Sequence, residues 1–366
     1  MLALRLYGGQ DIRLEEIPVP RIDDDEMILK VEAAAICGTD IRMWQNGSHN
    51  VSTSNPVVLG HEFAGTVAKV GRNVTFFRKG MRVAVAPNIG CGMCVRCLSG
   101  KPHLCAKYQA FGINRDGAFA EYVKIPKEAI IHGNIIPLPK GLSSEEAAVN
   151  EPLSCVYNGF LKCDIAVGEY VLVVGAGPIG LMHAMFAQVA GAAKIFLCDL
   201  SQDRLLASEK LLGNILVCEP EQLADLVDTE TERQGLDVAV IACPSPQMQT
   251  SVVRLMNYGG RVNFFGGIPT VKQPVAIDTN LVHYKELVLT GSTRGSTEHF
   301  QKTLNFISQG LIDVKKLITS RFDITDILPA FECAVQGNGL KNIITFESVA
   351  NPSQNLYIDK ELASIQ

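Results

Sequence analysis

Four cysteines stand close together in one short stretch of the chain, in the pattern C-x2-C-x2-C-x7-C within a glycine-rich loop. Four thiolates at such short steps suit a tetrahedral zinc ion that one loop can wrap. Because four protein ligands leave no position for a substrate, the spacing predicts a structural zinc. The remaining cysteines are scattered, which predicts free thiols and not a disulfide framework. The predicted ligands are Cys91, Cys94, Cys97 and Cys105.

A second set of metal-binding side chains is spread over two segments. Cys37 begins the run Cys-Gly-Thr-Asp, and His61 and Glu62 follow each other in a later segment. A thiolate, an imidazole and a carboxylate can hold zinc with one coordination position left for a substrate. From spacing alone, a buried cysteine and a surface His-Glu pair stay open as alternatives.

A glycine-rich turn at 175–180, Gly-Ala-Gly-Pro-Ile-Gly, lies between an apolar strand-like segment and a helix-like segment. Here the first glycine permits the sharp turn, the second lets backbone approach a pyrophosphate, and the third lets helix pack on strand. The turn therefore predicts a dinucleotide site. The predicted nucleotide-binding residues are Gly175, Gly177, Pro178, Ile179, Gly180, Asp199 and Arg204.

The residue at the end of the strand predicted at 194–198 indicates which nucleotide is bound. Asp199 lies 19 residues after Gly180, near the spacing of a carboxylate that accepts hydrogen bonds from the adenosine ribose. Such a carboxylate repels a 2′-phosphate, so NAD is predicted over NADP. Arg204, five residues further on, would flank the adenine or soften that preference.

The elements that position these residues change in character along the chain. The first 150 residues carry β patterns separated by Gly, Pro and Asp clusters, which predicts an antiparallel β domain. From about 155 to 295, strand and helix patterns alternate, which predicts a parallel sheet with right-handed crossovers. A helix near 297–309 and a strand at 342–346 follow, where we expect the chain to return to the first domain.

The segment predictions are specific. Strands are predicted at 27–33, 65–70, 82–85, 170–174, 194–198, 236–241, 261–265 and 286–290, and helices at 202–212 and 246–257. The tail from 350 to 366 has no clear period, and our hypothesis for it is a surface or subunit contact.

Composition excludes several classes of protein. The 366 residues are 47% hydrophobic and 19% charged, which is typical of a globular protein and not of a disordered one. The net charge is −5 and no basic run occurs, so nucleic acid is not expected as a partner. There is no long uncharged apolar segment and no signal-peptide pattern at the N-terminus, which predicts a cytoplasmic protein without a membrane partner.

The pattern G-H-E-x2-G-x5-G-x2-V, which starts at Gly60, resembles the signature of the zinc-containing medium-chain dehydrogenase/reductase family. The other motifs occur in that family's order, and the resemblance spans nearly the whole chain. It implies an α/β fold with a Rossmann doubly wound parallel sheet domain at 155–295. It also implies a GroES-like antiparallel β catalytic domain formed by 1–154 and 296–366.

Glu151 stands where classical alcohol dehydrogenases have a cysteine. The run Glu-Pro-Leu-Ser that it begins resembles the polyol branch, which includes sorbitol, galactitol-1-phosphate and threonine dehydrogenases. The resemblance implies that Cys37, His61 and Glu62 bind a catalytic zinc, with Glu151 binding directly or through water. It leaves open which of the two glutamates is the direct ligand.

Three further residues receive roles from the resemblance. Thr39 resembles the hydroxyl that relays the substrate's proton, and Glu62 and Glu151 complete the implied catalytic set. Arg42 stands where a histidine follows that hydroxyl in the classical and sorbitol enzymes, so the proton exit is expected to differ. Arg294 resembles a substrate-facing arginine, and with Arg42 it would suit a phosphorylated substrate.

The sequence thus predicts a zinc-dependent, NAD-linked dehydrogenase with two zinc ions per chain. It would interconvert a secondary alcohol of a polyol, polyol phosphate or cyclitol with its ketone. Within the enzyme class the alternative is a short-chain alcohol or diol dehydrogenase of the butanediol type. From another class the alternative is a non-catalytic nucleotide-binding relative. The resemblance also implies a homodimer or homotetramer.

Overall fold

The computed structural model describes residues 1–268 and 274–347. Contacts divide the chain into two compact units. Among the described residues, the first unit contains Met1–Pro152 and the chain from Gly295 to Glu347, and the second contains Leu153–Arg294. The domain boundaries given above stay a prediction, and the tail at 350–366 lies outside the described residues.

The first unit is built mainly from strands. Up to residue 152 its strands are β1 (Leu2–Gly8), β2 (Asp11–Glu16), β3 (Met27–Ala35), β4 (Val57–Val58), β5 (Glu62–Val70), β6 (Arg82–Val85), β7 (Asn88–Ile89), β8 (Gln109–Ala110), β9 (Tyr122–Ile125) and β10 (Ile135–Pro137). Its helices there are α1 (Gly38–Asn46), α2 (Val95–Leu98), α3 (Lys127–Ile131), α4 (Ser144–Ala148) and the start of α5 (Asn150–Cys163).

The second unit alternates strands and helices, as its sequence pattern predicts. Its strands are β11 (Tyr170–Val174), β12 (Lys194–Cys198), β13 (Leu216–Cys218), β14 (Leu236–Ile241), β15 (Met256–Phe264) and β16 (Val288–Gly291). Its helices after α5 are α6 (Pro178–Ala190), α7 (Gln202–Leu212), α8 (Leu223–Glu230), α9 (Pro246–Leu255) and α10 (Thr279–Tyr284). The first unit then resumes with α11 (Thr297–Ser308), β17 (Ile318–Asp323), α12 (Ile327–Val335) and β18 (Lys341–Thr345).

The six strands of the second unit form one parallel sheet in the order β13-β12-β11-β14-β15-β16. From β11 the next strands in the chain, β12 and β13, are added towards one edge of the sheet, and β14, β15 and β16 are added towards the other. The boundary between β11 and β14 is therefore the switch point of a doubly wound sheet. Leu172, Phe196 and Ala239 are fully buried in it. Each large apolar side chain buried in this way stabilises the unit by roughly 2 kcal/mol. The predicted Rossmann sheet is confirmed.

The main sheet of the first unit has seven strands in the order β10-β6-β5-β3-β18-β17, with β9 also paired to β3. Its pairs are antiparallel, as predicted, except that β17 and β18 run parallel. The parallel pair arises because α12 crosses between the two strands and returns the chain in the same direction. Since β18 pairs with β3, the chain returns to the first unit as expected.

The bounds of three predicted segments of the second unit need correction. The helix predicted at 246–257 ends at Leu255, and the strand predicted at 261–265 begins at Met256. A register shift on β14, between Leu236 and Val238, accommodates the extra residues at the start of β15. The strand predicted at 286–290 begins at Val288 because α10 and its C-terminal residues come first. In the described part of the chain no helix is long and apolar enough to cross a membrane.

Candidate functional site

Cys37, His61 and Glu62 meet at one end of the long strand pair β3–β5. In this antiparallel pair Ala35 lies opposite Glu62. Cys37 follows β3 and His61 precedes β5, so the pairing brings both beside Glu62. One ligand atom from each residue lies within 4.8 Å of the others. The structure therefore brings together three side chains that the sequence places far apart.

Asp40, for which the sequence predicts no role, contacts the segments that carry Cys37 and His61. Its side chain is completely buried. Its carboxylate accepts hydrogen bonds from the Cys37 N–H at 2.9 Å and the Gly60 N–H at 3.3 Å. Its Oδ1 lies 3.3 Å from His61 Nδ1. A carboxylate behind a metal-binding imidazole fixes the orientation of the ring, so Asp40 suits a supporting residue of the site.

The electrostatics of His61 show how strongly the pocket attracts positive charge. Burial by itself lowers the pKa of the imidazole. Asp40 and Cys37 outweigh that effect and raise the pKa well above its ordinary value. The metal-free pocket thus favours a cation among its acidic groups.

Glu62 forms a buried ion pair with Lys341, the first residue of β18. The lysine also donates a hydrogen bond to the Ile36 carbonyl at 3.3 Å. The pKa of Glu62 is raised to about 7, mainly because of burial, with Lys341 opposing the shift and the neighbouring Glu151 adding to it. Only one carboxylate oxygen meets the lysine. The other, Oε1, is buried without a hydrogen-bond donor among the described residues, which fits an atom that faces a metal ion.

Glu151 lies in the first turn of α5 and is 93% buried, at 7% relative exposure. Its charge acts on both Glu62 and Lys341, so it belongs to the same electrostatic neighbourhood. It is not part of the compact group formed by Cys37, His61 and Glu62. Glu62 therefore lies nearer to Cys37 and His61 than Glu151 does.

The cysteine-rich loop forms a second compact group, whose four sulfur atoms lie within 4.8 Å of one another: Cys91, Cys94, Cys97 and Cys105. Backbone N–H groups approach these sulfurs. The N–H groups of Cys91 and Lys107 lie 3.5 and 3.4 Å from Cys105 Sγ. Hydrogen bonds from the backbone of Met93 and Cys94 lower the pKa of Cys91 to about 6. Four thiols with backbone donors fit a closed zinc site.

Thr39 and Arg42 share one face of α1. The Thr39 N–H donates to Cys37 Sγ at 3.5 Å, so the cysteine sulfur also caps the helix. Arg42 Nη2 donates a hydrogen bond to Thr39 Oγ1 at 2.8 Å. The hydroxyl predicted to act on the substrate is thus bonded to the arginine that replaces the expected histidine.

The glycine-rich turn has the backbone geometry that its sequence predicts. Gly175 has φ +110°, a value that side-chain-bearing residues rarely adopt. A Cβ on Gly180 would lie 1.7 Å from the Gly175 carbonyl oxygen, so only glycine fits there. Pro178 begins α6, and Gly177 before it supplies no side-chain cap. The N–H groups at this helix start are available for an anion.

Asp199 follows β12 and joins two loops. Its Oδ2 accepts the Ala176 N–H at 2.6 Å, and its Oδ1 accepts the Ser201 N–H at 2.9 Å. The carboxylate therefore lies beside the glycine-rich turn. Arg204 lies in the first turn of α7, half-buried. Among the described residues its side chain makes no ion pair with Asp199.

Two family models match the chain: an alcohol dehydrogenase GroES-like domain over residues 23–139 and a zinc-binding dehydrogenase domain over residues 178–309. An L-threonine 3-dehydrogenase of Mesorhizobium japonicum is 36% identical to this chain, over 91% of this chain and 95% of its own. The chain belongs to the zinc-containing medium-chain dehydrogenase family. The predicted family and enzyme class, an oxidoreductase acting on CH–OH groups, are confirmed.

Solved structures support the same family. A zinc-binding dehydrogenase of Sinorhizobium meliloti, solved with NADP, is 28% identical, with a TM-score of 0.84 over 94% of this chain and 98% of its own. A short chain alcohol dehydrogenase of E. coli, solved with NADH, is 26% identical, with a TM-score of 0.85 over 94% of this chain and 99% of its own. Zinc and a nicotinamide nucleotide, both predicted above, are the cofactors of this family.

In this dehydrogenase Arg294 has φ +56°, in the left-handed region that is uncommon for a side-chain-bearing residue. Asn158 on α5 fixes the segment. Its amide Nδ2 donates to the carbonyls of Thr293 and Arg294 at 3.2 and 2.9 Å. The backbone that carries Arg294 is therefore held in a defined conformation by a buried side chain.

Three residues of the dehydrogenase have no role predicted from the sequence: Asp40, Lys341 and Asn158. Asp40 had a usable signal, since an acid three residues after a capping side chain is typical of a capping box. Lys341 and Asn158 had none, because a lysine at a strand start and an asparagine within a helix are ordinary. Only the fold shows what they contact.

Proposed function

We propose that this dehydrogenase catalyses the reversible, NAD-linked oxidation of a secondary alcohol to a ketone at a zinc ion held by Cys37, His61 and Glu62. One observation carries the proposal: a thiol, an imidazole and a carboxylate converge within 4.8 Å, and Glu62 retains a buried oxygen without a donor. Such a donor set holds zinc while leaving a position for a substrate.

The chain's own residues account for the proton and for the geometry. When bound, zinc supplies a Lewis acid that lowers the pKa of an adjacent alcohol. Thr39, whose N–H bonds to Cys37 Sγ, places its hydroxyl to bond the substrate oxygen and pass its proton outward. The nucleotide, when bound at the glycine-rich turn, would supply the two-electron acceptor for the hydride that the carbinol carbon gives up in becoming a ketone. Asp40 and Lys341 keep His61 and Glu62 in place.

The remaining sites have supporting roles in the proposal. The four-cysteine loop would hold a structural zinc that fixes its fold. The glycine-rich turn would bind the pyrophosphate of the nucleotide. Asp199 would bind the adenosine ribose and favour NAD over NADP, with Arg204 beside it. Glu151 would complete the zinc environment directly or through water.

Three substrate classes follow from the sequence and the comparisons. The run that begins at Glu151 supports a polyol, polyol phosphate or cyclitol. The relatives named L-threonine 3-dehydrogenase, at 35–36% identity over about nine-tenths of this chain, support a 3-hydroxy amino acid. A short diol is the remaining alternative. Arg42, in the first unit, would supply positive charge for a substrate that carries an anionic group, and the role of Arg294 stays a prediction of the family resemblance.

We further propose a cytoplasmic homodimer or homotetramer. In the second unit β16 lies at the edge of the parallel sheet, and Val288 on it is 53% exposed. An edge strand of this kind can pair with the same strand of a second copy. Sedimentation analysis of the wild type against a proline substitution of Leu289, within β16, tests this contact.

The decisive experiment measures NAD and NADP reduction by the zinc-loaded protein against polyols, their phosphates, cyclitols, short diols and 3-hydroxy acids. Turnover of one class that disappears in Cys37→Ser supports the proposal. Cys333→Ser, a half-buried cysteine outside both metal groups, should stay active. No turnover of any alcohol by protein that binds about two zinc ions per chain would contradict these substrate classes. Binding of about one zinc would favour a non-catalytic relative.

A further inference from the structure

We propose that Arg42 determines the substrate class, by binding an anionic group close to the carbon that is oxidised. The preferred substrate is then a short hydroxy acid whose carboxylate lies one or two carbons from the carbinol carbon. This inference rests on the proposed dehydrogenase function and adds the residue that sets its specificity. The bond between Arg42 and Thr39 carries it.

The helix that bears both residues is firmly seated. Its first turn is capped by Cys37 Sγ, and the Asp40 side chain accepts the Cys37 N–H in return. Asp40 is completely buried, and Met43 on the same helix is also buried. Thr39 and Arg42 are three residues apart, so they face the same side of α1. The backbone positions of Thr39 and Arg42 relative to Cys37 are therefore fixed.

The hydrogen bond between them has a defined direction. A guanidinium offers five N–H donors and no acceptor, so Thr39 Oγ1 must be the acceptor at 2.8 Å. The hydroxyl proton of Thr39 is then left to bond another oxygen. In the proposed reaction the second lone pair of Oγ1 accepts the O–H of the substrate, and the Thr39 proton passes outward to water. The arginine cannot take a proton onward as a histidine would, so its function is recognition and not relay.

The other N–H groups of the Arg42 guanidinium are available to bind a substrate. Arg42 is exposed, and the described residues offer its other N–H groups no hydrogen-bond partner. A guanidinium with two parallel N–H groups suits a carboxylate better than any neutral group. Water solvates it when the substrate is a neutral polyol, and no specificity results.

The spacing selects short substrates. An oxygen bonded to Thr39 Oγ1 lies about 2.8 Å from it, so it is at most about 5.6 Å from Arg42 Nη2. The carboxylate must approach the guanidinium to about 2.8 Å. With carbon–carbon bonds of about 1.5 Å, a 2- or 3-hydroxy acid bridges this gap without folding back. A phosphate at the far end of a hexitol does not.

The test compares binding of 3-hydroxybutanoate and its amide to the zinc-loaded full chain by calorimetry, without nucleotide. We expect the acid to bind the wild type about 10- to 100-fold more tightly than the amide, the range of a charge-assisted hydrogen bond. Arg42→Met should abolish the difference, and Arg42→Lys should keep part of it. Arg21→Met is the control, since Arg21 is exposed and has no partner among the described residues.

A turnover series tests the spacing. The substrates are 3-hydroxybutanoate, 4-hydroxypentanoate, 5-hydroxyhexanoate and neutral 2,3-butanediol. We expect kcat/KM to fall along the acid series. For the shortest acid, Arg42→Met should raise KM about 10- to 100-fold with kcat nearly unchanged, because binding and not chemistry is affected. The ratio of kcat/KM for the shortest acid to kcat/KM for the diol should therefore fall about 10- to 100-fold in Arg42→Met.

The outcomes separate this inference from the function on which it rests. Equal binding of acid and amide by the wild type, or an acid preference that survives in Arg42→Met, would overturn the role of Arg42. Turnover of the diol would then still support the dehydrogenase. Acid binding that depends on Arg42, without turnover of any alcohol, would support the recognition role and contradict the proposed reaction.

Discussion

Lys341 and Glu62 form an ion pair in which both side chains are almost completely shielded from water, at 5% and 0% exposure. The pair joins β18, from the last part of the chain, to the first residue of β5. Glu62 thereby shares its charge between a fixed lysine and the proposed metal position. The lysine holds one carboxylate oxygen and leaves the other free to face the metal.

Lys341→Met should destabilise the metal-free protein by about 3–5 kcal/mol, because it leaves a buried carboxylate without a partner. Zinc should restore part of that loss by placing a cation beside Glu62. Urea unfolding with a chelator and with zinc measures both effects. Lys341→Met combined with Glu62→Gln should recover much of the stability. Lys79→Met, at an exposed lysine, is the control. An unchanged midpoint in Lys341→Met would contradict the importance of the pair.

Asp40→Asn should weaken zinc binding at the proposed catalytic site about 10- to 100-fold. The amide keeps an acceptor for the Cys37 N–H but loses the negative charge that faces His61. Competition with a chromophoric chelator measures the affinity of the weaker site. Asp116→Asn is a matched control, because Asp116 also accepts a backbone N–H but lies outside both metal groups. Equal affinities in the two variants would show that Asp40 does not support the metal.

Cys94→Ser should lower the zinc content from about two to about one per chain, because it removes one ligand of the four-cysteine group. The free energy of unfolding should fall by on the order of 4 kcal/mol, since loss of a structural metal is among the largest single-residue effects. Metal analysis and urea unfolding measure the two quantities. Retention of two zinc ions would show that this loop is not a zinc site.

Asp199→Asn and Asp199→Ala separate charge from shape at the nucleotide site. Both should raise KM for NAD at least about tenfold, through loss of charge-assisted bonds to the ribose. The asparagine retains an acceptor for the Ala176 or Ser201 N–H, so it should keep more stability than the alanine. The preference for NAD over NADP should decrease in both. A preference unchanged in either variant would remove Asp199 from nucleotide selection.

His183 should make the second unit sensitive to acid. Burial lowers its pKa to about 3. The unfolded chain binds a proton near pH 6.5, whereas the folded chain does not, so stability falls as the pH drops below about 6.5. From pH 7 to pH 5 the loss is about 2 kcal/mol. His183→Gln should remove this part of the pH dependence in urea unfolding with chelator present, and exposed His49→Gln should not.

The secondary structure predicted from the sequence agrees best with the structure in the second unit, because its strands are buried on both faces. Strands at 170–174, 194–198 and 236–241 match the structure, because strands buried on both faces read as continuous apolar runs. The three-residue strand β13 escapes prediction, since so short a segment has no period. The start of β15 is missed because a register shift against β14 decides it, and no local pattern records such a shift.

The candidate site was predictable where chemistry and short spacing coincide. The four cysteines and the glycine-rich turn can each be recognised from a short stretch of sequence. The group of Cys37, His61 and Glu62 needed the family resemblance to be chosen over ordinary buried residues. Lys341 lies 279 positions after Glu62, and only the pairing of β18 with β3 brings the two together.

The double use of Cys37 bears on how this family loses its chemistry. The same sulfur caps α1 and belongs to the proposed metal group. Serine is among the best capping residues, and one nucleotide change converts a cysteine codon into a serine codon. A descendant with serine at this position would keep its helix and its fold while losing a metal ligand. A single mutation could therefore produce a folded relative without activity. Because folding does not require a cysteine at this position, only selection for activity would preserve it.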